Sequence, residues 1–570
     1  MHRATHSFPG APLGIGFLLT LGLPLAAAGS QPAQGAPAPC ADGFSKVSDT
    51  QGDFSAGLDD EDWFGRAVAP LGDLDGDGVD DLIATAVRDD DGAGDAGCAY
   101  VLFMNPDSTV AASQKISATS GGFGGPLAAN DYFGQSVASL GDVDGDGVVD
   151  VAVGAMGVDD GGVDRGAVWI LLLNADGTVR AETKISDLQD LDDGDRFGVS
   201  VAGLGDLDGD GVPDVAVGAQ YDDDGGTDRG AVRILFLNPD GTLKALTKIS
   251  DVQGGATPQL DDGDWFGRAL AALGDVDGDG VGELAVGAHS DDDGGADRGA
   301  AWILFLAADG TVRATGKISA LAGGFLGVLD DGDYFGGALS ALGDLDGNGV
   351  PDLAVAAAYD DDGGPDRGAV WVCYLLPSGA VLGHQKLSDF SSPCHGGLDD
   401  VDFFGSSIAS PVDRDGDGVP ELPVGAIWDD DGGSNRGAVW VHPLAPAGCS
   451  VRNGSLGINP IDCACATLPL LGAGWETTIA VGPFTAVTGL MVSYGGPLEG
   501  TTLFGWELLV APVPGVPVLG IPVGTQMVVI PNVAGLVGVE LSVQGYRIDI
   551  PPGASSDVTL TNALDIRIGG

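Results

Sequence analysis

Two apolar patterns take turns along most of this chain. Stretches such as SVASLGD (136–142) alternate, as a half-buried strand does, while runs such as DVAVGA (150–155) and AVWILLL (167–173) are almost wholly apolar, as a strand buried on both faces is. Between them lie Asp/Gly-rich turns; NADGT (174–178) and its counterparts carry the Asp-Gly pair that closes a hairpin. A fourth, more polar strand follows, VRAETKIS (179–186), and DLDDGDRFG (190–198) leads back to the start. The unit recurs: Phe-Gly pairs begin at Phe64, Phe133, Phe197, Phe266, Phe335 and Phe404, at steps of 69, 64, 69, 69 and 69 residues. Four strands per repeat, no helical period and a long fixed repeat predict a β-propeller. The sixth unit stops after RGAVWVHPLAPAGC without a KIS strand, and an orphan KVS (46–48) precedes the first Phe-Gly, so an amino-terminal strand is expected to complete the last blade. The fold class read from this is all-β: a propeller over residues 44–448, six blades counted and a degenerate seventh left open, then a small β-sandwich-like domain over 449–570.

Composition changes this picture at the ends. Residues 1–28 read as a signal peptide, with Arg3, an apolar core APLGIGFLLTLGLPL and a small-residue cleavage site near Ala28; residues 29–43 read as a linker. The protein is therefore expected to be secreted, extracellular or at the cell surface. The stretch from Leu508 to Val539 is uncharged, but five prolines within it argue for strands and turns rather than a membrane helix. With 83 acidic residues against 24 basic ones, a net charge of −59 excludes nucleic acid and anionic membranes as partners, because both are bound through Lys and Arg.

The acids are not scattered. Six nine-residue loops place oxygen ligands at positions 1, 3, 5 and 9, with Gly at position 6: Asp73, Asp75, Asp77 and Asp81; Asp142, Asp144, Asp146 and Asp150; Asp206, Asp208, Asp210 and Asp214; Asp275, Asp277, Asp279 and Glu283; Asp344, Asp346, Asn348 and Asp352; Asp413, Asp415, Asp417 and Glu421. A tight turn needs one Asp-Gly pair; four converging carboxylates repel one another unless a cation lies between them. Ca²⁺, which takes six to eight oxygens, suits this spacing better than Mg²⁺, and Asn348 is expected to weaken the fifth site.

Phe-Gly, the acidic loop and Val-Gly-Ala together resemble the FG-GAP repeats of integrin α-subunit propellers and of many secreted bacterial proteins. The resemblance covers roughly residues 44–448 and implies a Ca²⁺-binding propeller with an extracellular binding role. Two departures stand out: the Pro of the family's Gly-Ala-Pro is missing in every copy, and the integrin propeller has seven blades where six are counted here.

The remaining motifs point to binding rather than catalysis. Propeller topology puts DDDGGTDRG (222–230) and LDDGD segments on the face opposite the acidic loops, as a solvated rim or a surface for cations, basic proteins or sugars. Arg165, Arg229, Arg298 and Arg367 are expected to pair with neighbouring Asp. His289, His384, His395 and His442 fall at unrelated repeat positions and read as surface or loop residues, His289 adjoining an acidic loop. Of seven cysteines, Cys40 and Cys449 flank the gap in the last blade, where a disulfide would replace a missing hairpin turn. The function expected is non-enzymatic binding or adhesion to an extracellular protein or glycan; a lectin, or a hydrolase or lyase on the acidic face, are the alternatives.

Overall fold

The computed structural model describes residues 45–388, 398–414 and 420–444, and beyond them nine strands between 450 and 567. Among the described residues every element is a strand, and six four-stranded antiparallel sheets follow one another from residue 45 to 443. In the first blade the strands are Phe64–Gly72, Asp81–Ala86, Cys98–Met104 and Val110–Ile116, paired in chain order. The other blades repeat this. In blade two the second and third strands are buried throughout, as the unbroken apolar runs require: DVAVGA and AVWILLL are buried at every position. The outer strand VRAETKIS is exposed at Arg180 and Ala181.

The sixth blade contributes only Phe404–Ile408, Glu421–Ala426 and Ala438–Pro443 from its own repeat. Its fourth strand is Ser45–Val47, in antiparallel register Ser45↔Val441, Lys46↔Trp440 and Val47↔Val439. The predicted closure by an amino-terminal strand is the observed one, and the ring has six blades. A parallel bridge between Phe64 and Gly437 joins the last blade to the first, as Gly166–Phe197, Gly230–Phe266 and Gly299–Phe335 join others.

The core lies between blades. Each of six apolar clusters draws on two adjacent sheets; one combines Ile83 and Val101 with Val153 and Leu171, and the closing one combines Val47 and Val439 with Leu82 and Tyr100. The Phe of every Phe-Gly pair is 0% exposed within such a cluster. The glycine after it has a reason of its own. Gly198 has φ +91°, and a Cβ there would sit 2.2 Å from the Ala167 carbonyl oxygen of the preceding blade.

Past residue 450, strands Ser450–Arg452, Asp557–Arg567, Glu540–Asp549 and Thr485–Tyr494 form a four-stranded sheet, and Cys463–Cys465, Gly474–Ile479 and Gln526–Val529 a three-stranded one. This region is β-rich, as the proline-punctuated sequence implied. Cys40 and Cys449 lie outside the described residues. Cys98 and Cys373 are buried free thiols.

Candidate metal centres and the opposite face

Each acidic loop joins the inner strand of a blade to its second strand. In five loops, three carboxylates offer oxygens within 4.8 Å of one another: Asp73, Asp75 and Asp81; Asp142, Asp144 and Asp146; Asp206, Asp208 and Asp210; Asp275, Asp277 and Asp279; Asp344, Asp346 and Asp352. The loop backbone produces this convergence. In the first loop, Gly76 and Gly78 donate their N–H groups to Asp73 at 2.8 and 3.0 Å, and Val79 donates to Asp77 at 2.8 Å. These bonds hold the side chains on one side of the turn.

The ninth residue is buried and pins the loop to the sheet. Asp81 accepts N–H groups from Leu74 and Met104, both at 3.0 Å; Asp150, Asp214 and Asp352 each accept the equivalent two. Each oxygen keeps a second lone pair. Burial, reinforced by the neighbouring loop carboxylates, pushes Asp81, Asp150 and Asp214 up to about 6 and Glu283 and Asp352 up to about 7. In the fifth loop Asp346 Oδ2 is buried with no hydrogen-bond partner, while Asn348 donates to the Leu375 carbonyl at 2.9 Å. Converging hard oxygens, buried charge and an orphaned carboxylate oxygen fit a divalent cation.

The loops are not equivalent. Arg180 pairs with Asp144 and Asp146, Lys244 with Asp208 and Asp210 at 2.6 and 2.5 Å, and Arg313 with Asp277 and Asp279 at 3.3 and 2.7 Å. Ala111 and Leu382 hold that outer-strand position in blades one and five. Blades two to four thus carry a tethered cation over their acids. In the sixth loop Asp415 and Asp417 lie outside the described residues; Glu421 accepts the Arg414 N–H at 2.9 Å, and Arg414 reaches the Asp80 carbonyl of blade one at 3.0 Å.

Residues 133–171, 197–235, 266–304 and 335–373, covering the first three strands of blades two to five, match the FG-GAP repeat family. The ring is a six-bladed propeller with FG-GAP repeats in blades two to five. The chain is similar to integrin alpha-PS2 of Drosophila melanogaster, 39% identical over 175 residues (28% of this chain, 12% of that protein). It is similar also to integrin alpha-V of Gallus gallus, 34% over 244 residues (42% and 21%), and integrin alpha-5 of Xenopus laevis, 31% over 238 residues (41% and 20%). The chain spans 12–21% of the length of these relatives.

On the face of the FG-GAP propeller opposite the loops, the acidic triplets are largely internal ties. The first Asp of the triplet is 2–5% exposed in blades one and three to six, and the Lys of the KIS strand bonds it there: Lys115–Asp89 at 2.7 Å, Lys248–Asp222 at 2.8 Å, Lys317–Asp291 at 2.7 Å, Lys386–Asp360 at 2.5 Å and Lys46–Asp429 at 2.5 Å. The expected Arg–Asp pairs are present and run to the connection with the next blade, Arg165–Asp193 at 2.9 Å, Arg229–Asp262 at 2.8 Å, Arg298–Asp331 at 2.7 Å and Arg367–Asp400 at 2.9 Å.

Inside that rim lies a ring of large side chains. The residue before each Phe-Gly is Trp63, Tyr132, Arg196, Trp265, Tyr334 or Phe403, and all six have φ of 55–57°. Left-handed backbone is costly for bulky residues, and its repetition marks a site where the surroundings enforce it. Trp265, His289, Tyr334, Tyr359, Phe403, Trp428 and Trp63 follow one another with ring centroids 4.7–6.1 Å apart, forming an aromatic collar. Tyr221 extends it to Arg196, and Arg88 stacks on Trp63 at the other end. The histidine expectation needs correction here. His289 is 8% exposed between Trp265 and Tyr334, His442 is buried, and His384 lies in strand Val381–Leu387; His395 is outside the described residues. The signal for the collar was in the sequence, since DWFG, DYFG, DRFG and DFFG vary only among large flat side chains.

Proposed function

We propose that this is a secreted or cell-surface binding protein, non-enzymatic, whose propeller is held by Ca²⁺ in its first-turn loops and engages an extracellular protein or glycan through the aromatic collar. The collar carries the reading. It gathers flat rings, one of them (Tyr359) 43% exposed, around one end of the propeller, where they can stack on cationic side chains or sugar faces. Arg196 over Tyr221 and Arg88 over Trp63 display that chemistry within the molecule. Similarity to integrin α subunits supports an extracellular adhesion role.

In this reading the loop carboxylates hold Ca²⁺ and the cation removes their mutual repulsion. Residues Asp73, Asp75, Asp77 and Asp81 and their counterparts are the ligands. Affinity is of the order of 10⁻⁴–10⁻³ M, as for extracellular modules. Chelation should lower the melting temperature and Ca²⁺ restore it, with the largest effect from blades one and five, which lack a tethered basic residue. An array of glycans and matrix proteins, probed with and without Ca²⁺, tests the binding reading. Trp265→Ala and Tyr359→Ala should abolish the strongest signals while leaving the melting curve in Ca²⁺ near wild type. Unchanged signals in both variants would overturn the collar as the binding face.

A further inference from the structure

Behind the collar the six inner segments line a central channel, and the residues that follow the Phe-Gly pairs form a ring: Arg66, Gln135, Val199, Arg268, Gly337 and Ser406. Two of the six are arginines, on blades one and four. Arg66 is 8% exposed and donates from Nε to Gln135 Oε1 at 3.3 Å and from Nη1 to the Ser406 carbonyl at 3.3 Å. Arg268 shares the same cavity, of about 80 Å³, and makes no ion pair among the described residues.

This is anomalous in a chain with 83 acidic residues. Arg88, Arg165, Arg229, Arg298 and Arg367 each hold a carboxylate; of the other buried arginines, Arg233 holds two, Asp190 and Asp222 at 3.1 and 3.0 Å, and Arg414 has Glu421, Asp80 and Asp81 beside it. Arg66 and Arg268 face each other with none. Burial lowers both from the ordinary guanidinium range, Arg66 to about 9 with Arg268 as a further cause; only the phenols of Tyr359 and Tyr221 act the other way. His289 adds no charge, because burial and these two arginines hold it well below the ordinary histidine range. A buried charge without a counter-charge is costly, and two like charges more so.

We propose that Arg66 and Arg268 form an anion site in the channel mouth that binds one small oxyanion, of carboxylate or sulfate size. Planar guanidinium forks match such groups. The Ser406 hydroxyl, which is buried and has no partner, and the Gln135 amide complete the donor set. The cavity is far below the roughly 300–1,000 Å³ of a drug-sized ligand pocket and suits a small ion. The net charge of −59 opposes an acidic protein at long range, whereas salt screens the approach of a small free ion.

The test uses the full chain in saturating Ca²⁺. Sodium sulfate and sodium acetate are titrated calorimetrically at an ionic strength fixed with NaCl, and melting is followed in parallel. One saturable site is expected for at least one oxyanion, with affinity at least tenfold lower in Arg268→Gln. That variant loses no hydrogen bond, so its fold should be kept, and its melting temperature should respond less to the oxyanion than wild type does. Absence of saturable binding in wild type, or an equal response of wild type and Arg268→Gln, would overturn the proposal; Arg66→Gln repeats the comparison from the other side of the channel.

Discussion

Asp264 shows how a single side chain is used twice in this protein. It ends the LDDGD segment, is 5% exposed, and accepts the Asp261 N–H at 2.8 Å, closing the turn that delivers Trp265 to the collar. Burial, aided by Asp291 and opposed by Lys317, pushes its carboxyl up to about 7. Asp62 and Asp402 reach about 7 and Asp195 and Asp333 about 6 for the same reason. The folded chain therefore keeps protons that an unfolded carboxyl of pKa 3.8 has released. The stability these groups contribute is complete below the unfolded value and is lost as pH rises through the folded one. In saturating Ca²⁺, stability should fall between about pH 4 and pH 7 from this source. Asp264→Asn keeps the acceptor and removes the proton, so it should flatten that slope by at most about 1.4 kcal/mol per pH unit. Urea unfolding at a series of pH values measures it; identical slopes would refute the assignment.

At the scale of the element, the blade is defined by what its inner strand can approach. The Phe-Gly pair places an aromatic ring in the inter-blade core and a bare backbone against the neighbouring blade. Gly198→Ala must accept both φ +91° and a Cβ 2.2 Å from the Ala167 oxygen, so the blade-to-blade contact has to open. Gly194 has a similar φ of +95° but open space around it. Gly194→Ala should cost only the left-handed penalty, about 1–2 kcal/mol. Gly198→Ala should cost clearly more. Equal losses in denaturant unfolding would show that the close approach is not under constraint.

For the whole molecule, stability rests on closing the ring. Ser45–Val47 supplies the last strand, buries Val47 in the cluster between blades six and one, and brings Lys46 to Asp429 and Asp431 at 2.5 and 2.6 Å. A chain starting at residue 44 should melt like the longer protein, and one starting at residue 49 should melt at lower temperature, with the Ala438–Pro443 edge exposed. Matching melting curves would show that closure depends on something other than this strand.

The local chemistry was legible from residue order alone. Strict apolar periods, a hairpin signal and a repeat near 69 residues state the strand count, the blade and the ring, and carboxylates at fixed spacing state the converging acidic loops, because these depend on neighbours a few residues apart. What depended on distance in space stayed hidden. Whether an acidic triplet is a ligand surface or an internal tie is decided by Lys46, 383 residues before Asp429, or by Lys248, 26 residues after Asp222. Whether Arg66 and Arg268 are surface charges or partners across a channel is decided by the ring closing, which sets residues 202 positions apart around one cavity. Sequence order specifies the six blades; only closure determines which side chains meet at the axis, because that position is shared by all six and belongs to none.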